Sequence, residues 1–315
     1  MDSVRHFWGN WLSIFSGVRD PRNPNLITYP LESILFTGTF MFITQLGARR
    51  GIKDWLRDND LVATKMEAWF RVANTPHGDT LNNTYRRVDV AEVQEVVCRC
   101  VETLIRKKVL YRYRLLGVYY TIAIDGTGVL AFHKRHCPHC LTKTFHKGEI
   151  LYYHPVLEAK LVMPNGFAFS LMTEFIENVD LSQNKQDCEL KAFYRLAKRL
   201  KARFPRLPIC LLMDGLYAGG PTFKICADAG WKYLIVLQED HLPNLHRSFA
   251  LVARQLPKQR KHLSLPEAKN EKIEQDYRWA EDLEYLDSQD LRHALGLIEC
   301  QETRSATTGD RKSVV

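Results

Sequence analysis

The chain has 315 residues, 45% of them apolar and 25% charged, with a formal net charge of +8 and a pI near 9.0. Those proportions exclude a disordered or fibrous chain and leave room for one large core, or for a core domain with a smaller companion. The positive balance favours a polyanionic partner, because clustered Lys and Arg gain free energy by displacing counterions from phosphates.

The amino terminus has an early acid at Asp2 and no apolar run of signal-peptide length. Leu31 to Ala48 is the most apolar stretch, but Glu32, Thr37, Gly38, Thr39, Thr44 and Gln45 interrupt it. It reads as a buried helix over Leu31 to Gly47 rather than a membrane span. Pro76-His77-Gly78-Asp79-Thr80 reads as a turn and cap before a helix at Leu81. From Asp89 to Leu110, Val93, Val96, Val97, Cys100, Val101, Leu104 and Ile105 recur at helical spacing, with Arg99, Arg106, Lys107 and Lys108 facing away. Residues 1–116 are therefore expected to form a helical domain with a possible DNA-binding role.

At Gly117 the period becomes strand-like, and strands are expected over 117–125, 150–163 and 166–176. Asn165-Gly166 between the last two is a strong hairpin signal, so the three form an antiparallel meander. A helix over Lys185 to Arg203 follows, with Leu190, Phe193, Tyr194, Ala197 and Leu200 on one face. Strand 209–213, a helix from Pro221 to Ala229 and strand 232–238 complete the order βββαβαβ. Beyond Leu256 the chain is polar, and Leu295 to Arg304 reads as a strand leading into a turn at Thr307-Thr308-Gly309-Asp310.

Two of these strands end in Asp-Gly, at Asp125-Gly126 and Asp214-Gly215. The order βββαβαβ is that of an α/β, RNase H-like mixed sheet, in which the first and fourth strands lie side by side. Asp125 and Asp214 would then meet at the carboxyl edge, where open sheets bind their ligands. Paired carboxylates suit Mg²⁺, a hard ion that takes oxygen ligands. Such ions activate a water or hydroxyl nucleophile and stabilise the leaving oxygen in attack on a phosphodiester. Taken singly, an Asp-Gly is more often a plain turn; the joint placement on the first and fourth strands is what points to a site.

Together, Ile122-Ala123-Ile124-Asp125-Gly126-Thr127-Gly128, His136-Cys137-Pro138-His139-Cys140, Lys185-Gln186-Asp187-Cys188-Glu189 and Leu212-Met213-Asp214-Gly215-Leu216-Tyr217 resemble the DDE transposases of bacterial insertion sequences, in the branch with a β-rich insertion before the last acid. The resemblance covers residues 117–240 well and the helical region loosely. It implies cleavage at transposon ends and strand transfer to target DNA, with Asp125 and Asp214 as the first two ligands of Mg²⁺ or Mn²⁺. It further implies a homodimer on double-stranded DNA, acting in the bacterial cytoplasm at the nucleoid, with no membrane partner. The third ligand in such families is a Glu, often within Tyr-x2-Arg-x3-Glu. None of Tyr217, Tyr233, Tyr277 and Tyr285 opens that pattern. The expectation is a catalytic core over 117–256 followed by an incomplete insertion over 257–315, with activity impaired by loss of the third acid. Glu239 and Asp240 are weaker substitutes, better read as solvated loop acids. Two other readings remain open: a DNA-binding remnant without catalysis, and a nuclease of the same fold without strand transfer.

Cys137-Pro138-His139-Cys140 is a C-x2-C knuckle, suited to structural Zn²⁺. His133, His136, His139, His146, His154 and Cys188 are all candidates to complete it, and spacing does not choose among them. The eight cysteines form no secreted disulfide framework, which reads as a reducing, cytosolic setting. Around the knuckle, Lys134, Arg135, Lys143 and Lys147 with Phe132 and Phe145 form a candidate grip on the DNA backbone. A solvated loop is the plainer interpretation of the same residues.

Overall fold

A computed structural model describes residues 6–306 and 313–314, apart from 10, 47, 50, 58–60, 62–63, 66, 68–75, 147, 179–184, 239–240 and 269–270. Lys147, Glu239, Asp240 and the turn at 307–310 lie outside the described residues. The chain divides into two compact units, Met1–Pro208 and Ile209–Val315. Strands pair both antiparallel and parallel and alternate with helices, so the protein is mixed α/β.

In the first unit the helices α1 (Leu31–Ile43), α2 (Gly51–Arg57), α3 (Gly78–Tyr85) and α4 (Val90–Arg106) precede four strands. Asp89 caps α4 by accepting the Ala91 amide at 2.8 Å, and His77 caps α3 through the Asp79 amide. Helix α4 buries Val96, Cys98, Val101 and Leu104. Val97, expected inside, is exposed, because α4 packs on β4 and turns Cys98 inward, where its thiol donates to the Leu171 carbonyl at 2.7 Å.

Strands β1 (Tyr120–Phe132), β2 (Leu141–Thr144), β3 (Ile150–Val162) and β4 (Ala168–Phe175) pair antiparallel about a central β3. One edge of β3 carries β1; the other carries β2 and then β4. The Asn165-Gly166 hairpin forms as expected: Gly166 adopts φ of +85°, and the Phe167 amide donates to the Asn165 side chain at 3.2 Å. Strand β1 differs from expectation. Its ladder does not stop at Asp125 but carries Gly126, Thr127 and Gly128 against Leu157, Val156 and Pro155, with an irregularity between Gly128 and Leu130. The long β3 templates this extension, a tertiary effect that outweighs the turn preference of Gly-Thr-Gly.

Helix α5 (Glu189–Arg203) packs on β3 and β4 and buries Ala192, Phe193, Leu196, Ala197 and Leu200. Burying an apolar side chain of this size contributes about 1.5–3 kcal/mol, against roughly 0–1 kcal/mol for an exposed ion pair. Apolar contact therefore seats the helix, and its charges trim the position.

In the second unit β5 (Ile209–Met213) and β6 (Lys232–Ile235) pair parallel, connected through α6 (Gly220–Ala229). Helix α7 (Pro243–Gln255) packs on β8 (Glu271–Leu286) within a longer antiparallel sheet that runs β10 (Ser313–Val314), β9 (Arg292–Ala306), β8, β7 (Arg260–Ala268). Phe223, Leu245, Phe249, Ala253, Ala280, Leu283, Leu295 and Leu297 share one core there. Polar composition over 257–284 hid β7 and β8, because the two strands pair with each other and with β9 while leaving many of their side chains in water.

Candidate functional site

Asp125 sits within β1, exposed, across from Glu158 of β3. Glu158 accepts from the Ser170 hydroxyl and, at 2.6 Å, from that of Thr173, so both of its carboxyl oxygens are bonded to the neighbouring strand. Immediately after Asp125, Gly126 makes room for another acid. A Cβ there would meet the Glu189 carboxyl at 2.4–2.6 Å. Glu189 opens α5, and its carboxylate suits that end of the helix, where unpaired amides leave partial positive charge.

The lead-in to α5 is anchored by Asp187. Its carboxylate takes Arg195 at 2.7 Å and the Glu177 amide at 3.3 Å, while its own amide donates to the Asn178 side chain at 3.1 Å. Burial pushes the Asp187 carboxyl up, but the Arg195 guanidinium and the amides of Cys188 and Glu177 outweigh it and hold the group below its usual range. Arg195 is raised correspondingly by its hydrogen bond to Asp187, and it also reaches Glu174 at 2.6 Å.

In the second unit Asp214 leaves β5 exposed and caps the short turn Gly215–Tyr217, accepting the Leu216 amide at 3.0 Å. Gly215 has the same steric role as Gly126. A Cβ on it would meet the His241 ring at 2.2–2.4 Å and the Val236 carbonyl at 3.2 Å. Each Asp is thus followed by a glycine against which a second polar side chain packs. Neither Glu189 nor His241 was given a role from sequence. Glu189 lies in the Lys185–Glu189 segment and inside the helix expected over Lys185 to Arg203, which in fact opens at Glu189; no signal in the sequence marked His241.

Cys137 and Cys140 meet His154, and among the described residues this is the one cluster of three or more His, Cys, Asp or Glu donors within 4.8 Å of one another. The other described histidines named for the knuckle are not in it. His133 faces Glu149 at 3.2 Å, His136 stacks on Phe132 with centroids 4.7 Å apart, and His139 donates through Nδ1 to the Asn178 carbonyl at 2.8 Å. Burial raises the Cys140 thiol, but hydrogen bonds from the backbone of Cys137 and His136 and from the Cys137 side chain, with the Arg135 charge, bring it below its ordinary value. Lys134, Arg135 and Lys143 are exposed; Arg135 lies over the Tyr152 ring at 5.6 Å and Lys143 over Phe145 at 5.7 Å.

Residues 12–101 match the sequence model of the family described as DDE_Tnp_1-associated. The match points to a transposase of the DDE class. No curated protein matches the chain. No described helix is long and apolar enough to cross a membrane.

Proposed function

We propose that this protein is a DNA transposase, with an RNase H-like core over 117–256 that cleaves and joins phosphodiesters using Mg²⁺ or Mn²⁺ held by Asp125 and Asp214. The helical part, 1–116, precedes this core, and a β-rich segment, 257–315, follows it. The observation that carries the reading is the family match over residues 12–101, which precedes the strand bearing Asp125 in the chain.

One further feature supports it. Both aspartates are exposed, and Mg²⁺ is commonly held by one or two carboxylates with water and substrate phosphate completing the shell. When bound, the metal activates the attacking oxygen and stabilises the leaving one. Among the protein's own residues, the Leu216 amide orients Asp214. In this reading Lys134, Arg135, Lys143 and Lys147 hold the phosphate backbone, and two copies act on paired duplex ends at the nucleoid.

The test is incubation of the purified chain with duplexes carrying the ends of its insertion sequence, with and without Mg²⁺. Metal-dependent nicking followed by joined products is the expected result. Hydrolysis without joining would convert the reading to a nuclease, and salt-dependent binding without any cleavage would reduce it to a DNA-binding remnant.

A further inference from the structure

We propose that Cys137, Cys140 and His154 bind one zinc ion, which staples the loop after β1 to strand β3. The Cys137 and Cys140 sulfurs lie 3.7 Å apart, and His154 Nε2 lies 3.3 Å from the first and 3.2 Å from the second. Two thiolates on a tetrahedral zinc, with Zn–S near 2.3 Å, stand about 3.8 Å apart, and a thiolate and an imidazole nitrogen about 3.6 Å apart. The sulfur pair matches, and the nitrogen needs to withdraw by only a few tenths of an ångström.

Hydrogen bonding alone does not account for the triangle. A single ring nitrogen offers either one lone pair or one hydrogen, so ordinary two-centre bonds satisfy at most two of its three edges. A disulfide would require the sulfurs to approach to about 2.05 Å, and both cysteines are free. A cation at the centre satisfies all three atoms at once.

The fold builds this arrangement from distant residues. Leu141 of β2 pairs with Tyr153 of β3, so the antiparallel register sets Cys140 opposite His154. The backbone turns between the cysteines, with the Cys140 amide directed at the Cys137 carbonyl. Asn178 braces the knuckle: its side-chain amide donates to the Cys140 carbonyl at 3.2 Å, its backbone amide to the His139 carbonyl at 3.2 Å. Such outer contacts orient ligands in metal sites. Cys140 is buried and the other two are half-buried, which leaves the fourth vertex of the tetrahedron to a water on the open side. On binding, each thiol releases its proton to solvent and zinc takes the resulting thiolate. The loop so fixed carries Lys134 and Arg135.

The experiment is elemental analysis of the full chain purified without chelators. About one zinc per chain is expected, with loss of at least roughly tenfold in affinity for Cys137→Ser, Cys140→Ser and His154→Ala, while His139→Ala and the exposed-cysteine variants Cys188→Ser and Cys300→Ser keep it. If the ligand variants fail to fold, Co²⁺ added to metal-free wild-type protein replaces them as the readout. Thiolate-to-cobalt absorption with the visible bands of a four-coordinate ion is expected. Absence of both zinc and these bands, a Cys137–Cys140 disulfide in freshly reduced protein, or full retention of zinc by His154→Ala would each overturn the proposal. The outcome is independent of DNA cleavage, so it stands or falls apart from the transposase reading.

Discussion

The two Asp-Gly pairs look alike in sequence and are built differently. Asp125 lies inside a strand whose ladder continues for several residues, so its backbone is fixed by β3 and its carboxylate projects from a sheet. Asp214 lies just past the end of β5 and is fixed by a turn that its own carboxylate caps. What the pairs share is the use of glycine for the approach of a third party: Glu189 at Gly126 and His241 at Gly215. The same dipeptide thus serves a continuous strand in one place and a strand exit in the other, and the common requirement is the missing Cβ, not the turn.

The most severe way to break this comparison is to remove the acids. Asp125→Asn and Asp214→Asn are each expected to lower metal-dependent strand cleavage by more than the roughly 10–100-fold typical of groups one layer out from a metal, measured by release of a labelled end. Unequal losses would separate the two acids and argue against a shared cation cluster.

The glycines sharpen the contrast. Gly215→Ala meets the backbone carbonyl of Val236 as well as the His241 ring, so it should cost about 1–3 kcal/mol in urea unfolding. Gly126→Ala meets only the end of the Glu189 side chain; it should cost less than about 1 kcal/mol. A larger stability loss for Gly126→Ala than for Gly215→Ala would reverse the account.

The mildest test concerns the anchor of α5. Because the folded Asp187 carboxyl is held below its usual range, its contribution is present above the unfolded value, near pH 4, and is lost as pH falls through the lower folded value. Asp187→Asn should therefore be less stable than wild type at neutral pH, by about 1–2 kcal/mol, and the gap should close in acid below pH 4. A gap that persists unchanged at low pH would remove the ion pair with Arg195 as its cause.

Much of the element order was legible, for local reasons. Asp89 as a cap, Asn165-Gly166 as a hairpin, and the amphipathic stripes of α4 and α5 are each written within a few neighbouring residues. The extension of β1 through Gly126-Thr127-Gly128, the small strand β2 and the helix α7 were not read, since each is settled by the partner it packs on. The candidate site shows the same division. Asp125, Asp214, Cys137 and Cys140 stood out by spacing, whereas His154 was one of several equivalent histidines until the β2–β3 register placed it opposite Cys140.

By itself the sequence determined the local choices: which segments are helical or extended, where caps and the hairpin fall, and which residue types could carry metal chemistry. Tertiary structure alone decided which of those residues meet, because antiparallel register and the close approach allowed by Gly126 and Gly215 depend on chains brought together from far apart. The physical reason is range: propensity and capping act across a few residues, while ligand geometry is fixed by packing between strands and helices that the sequence lists far from one another.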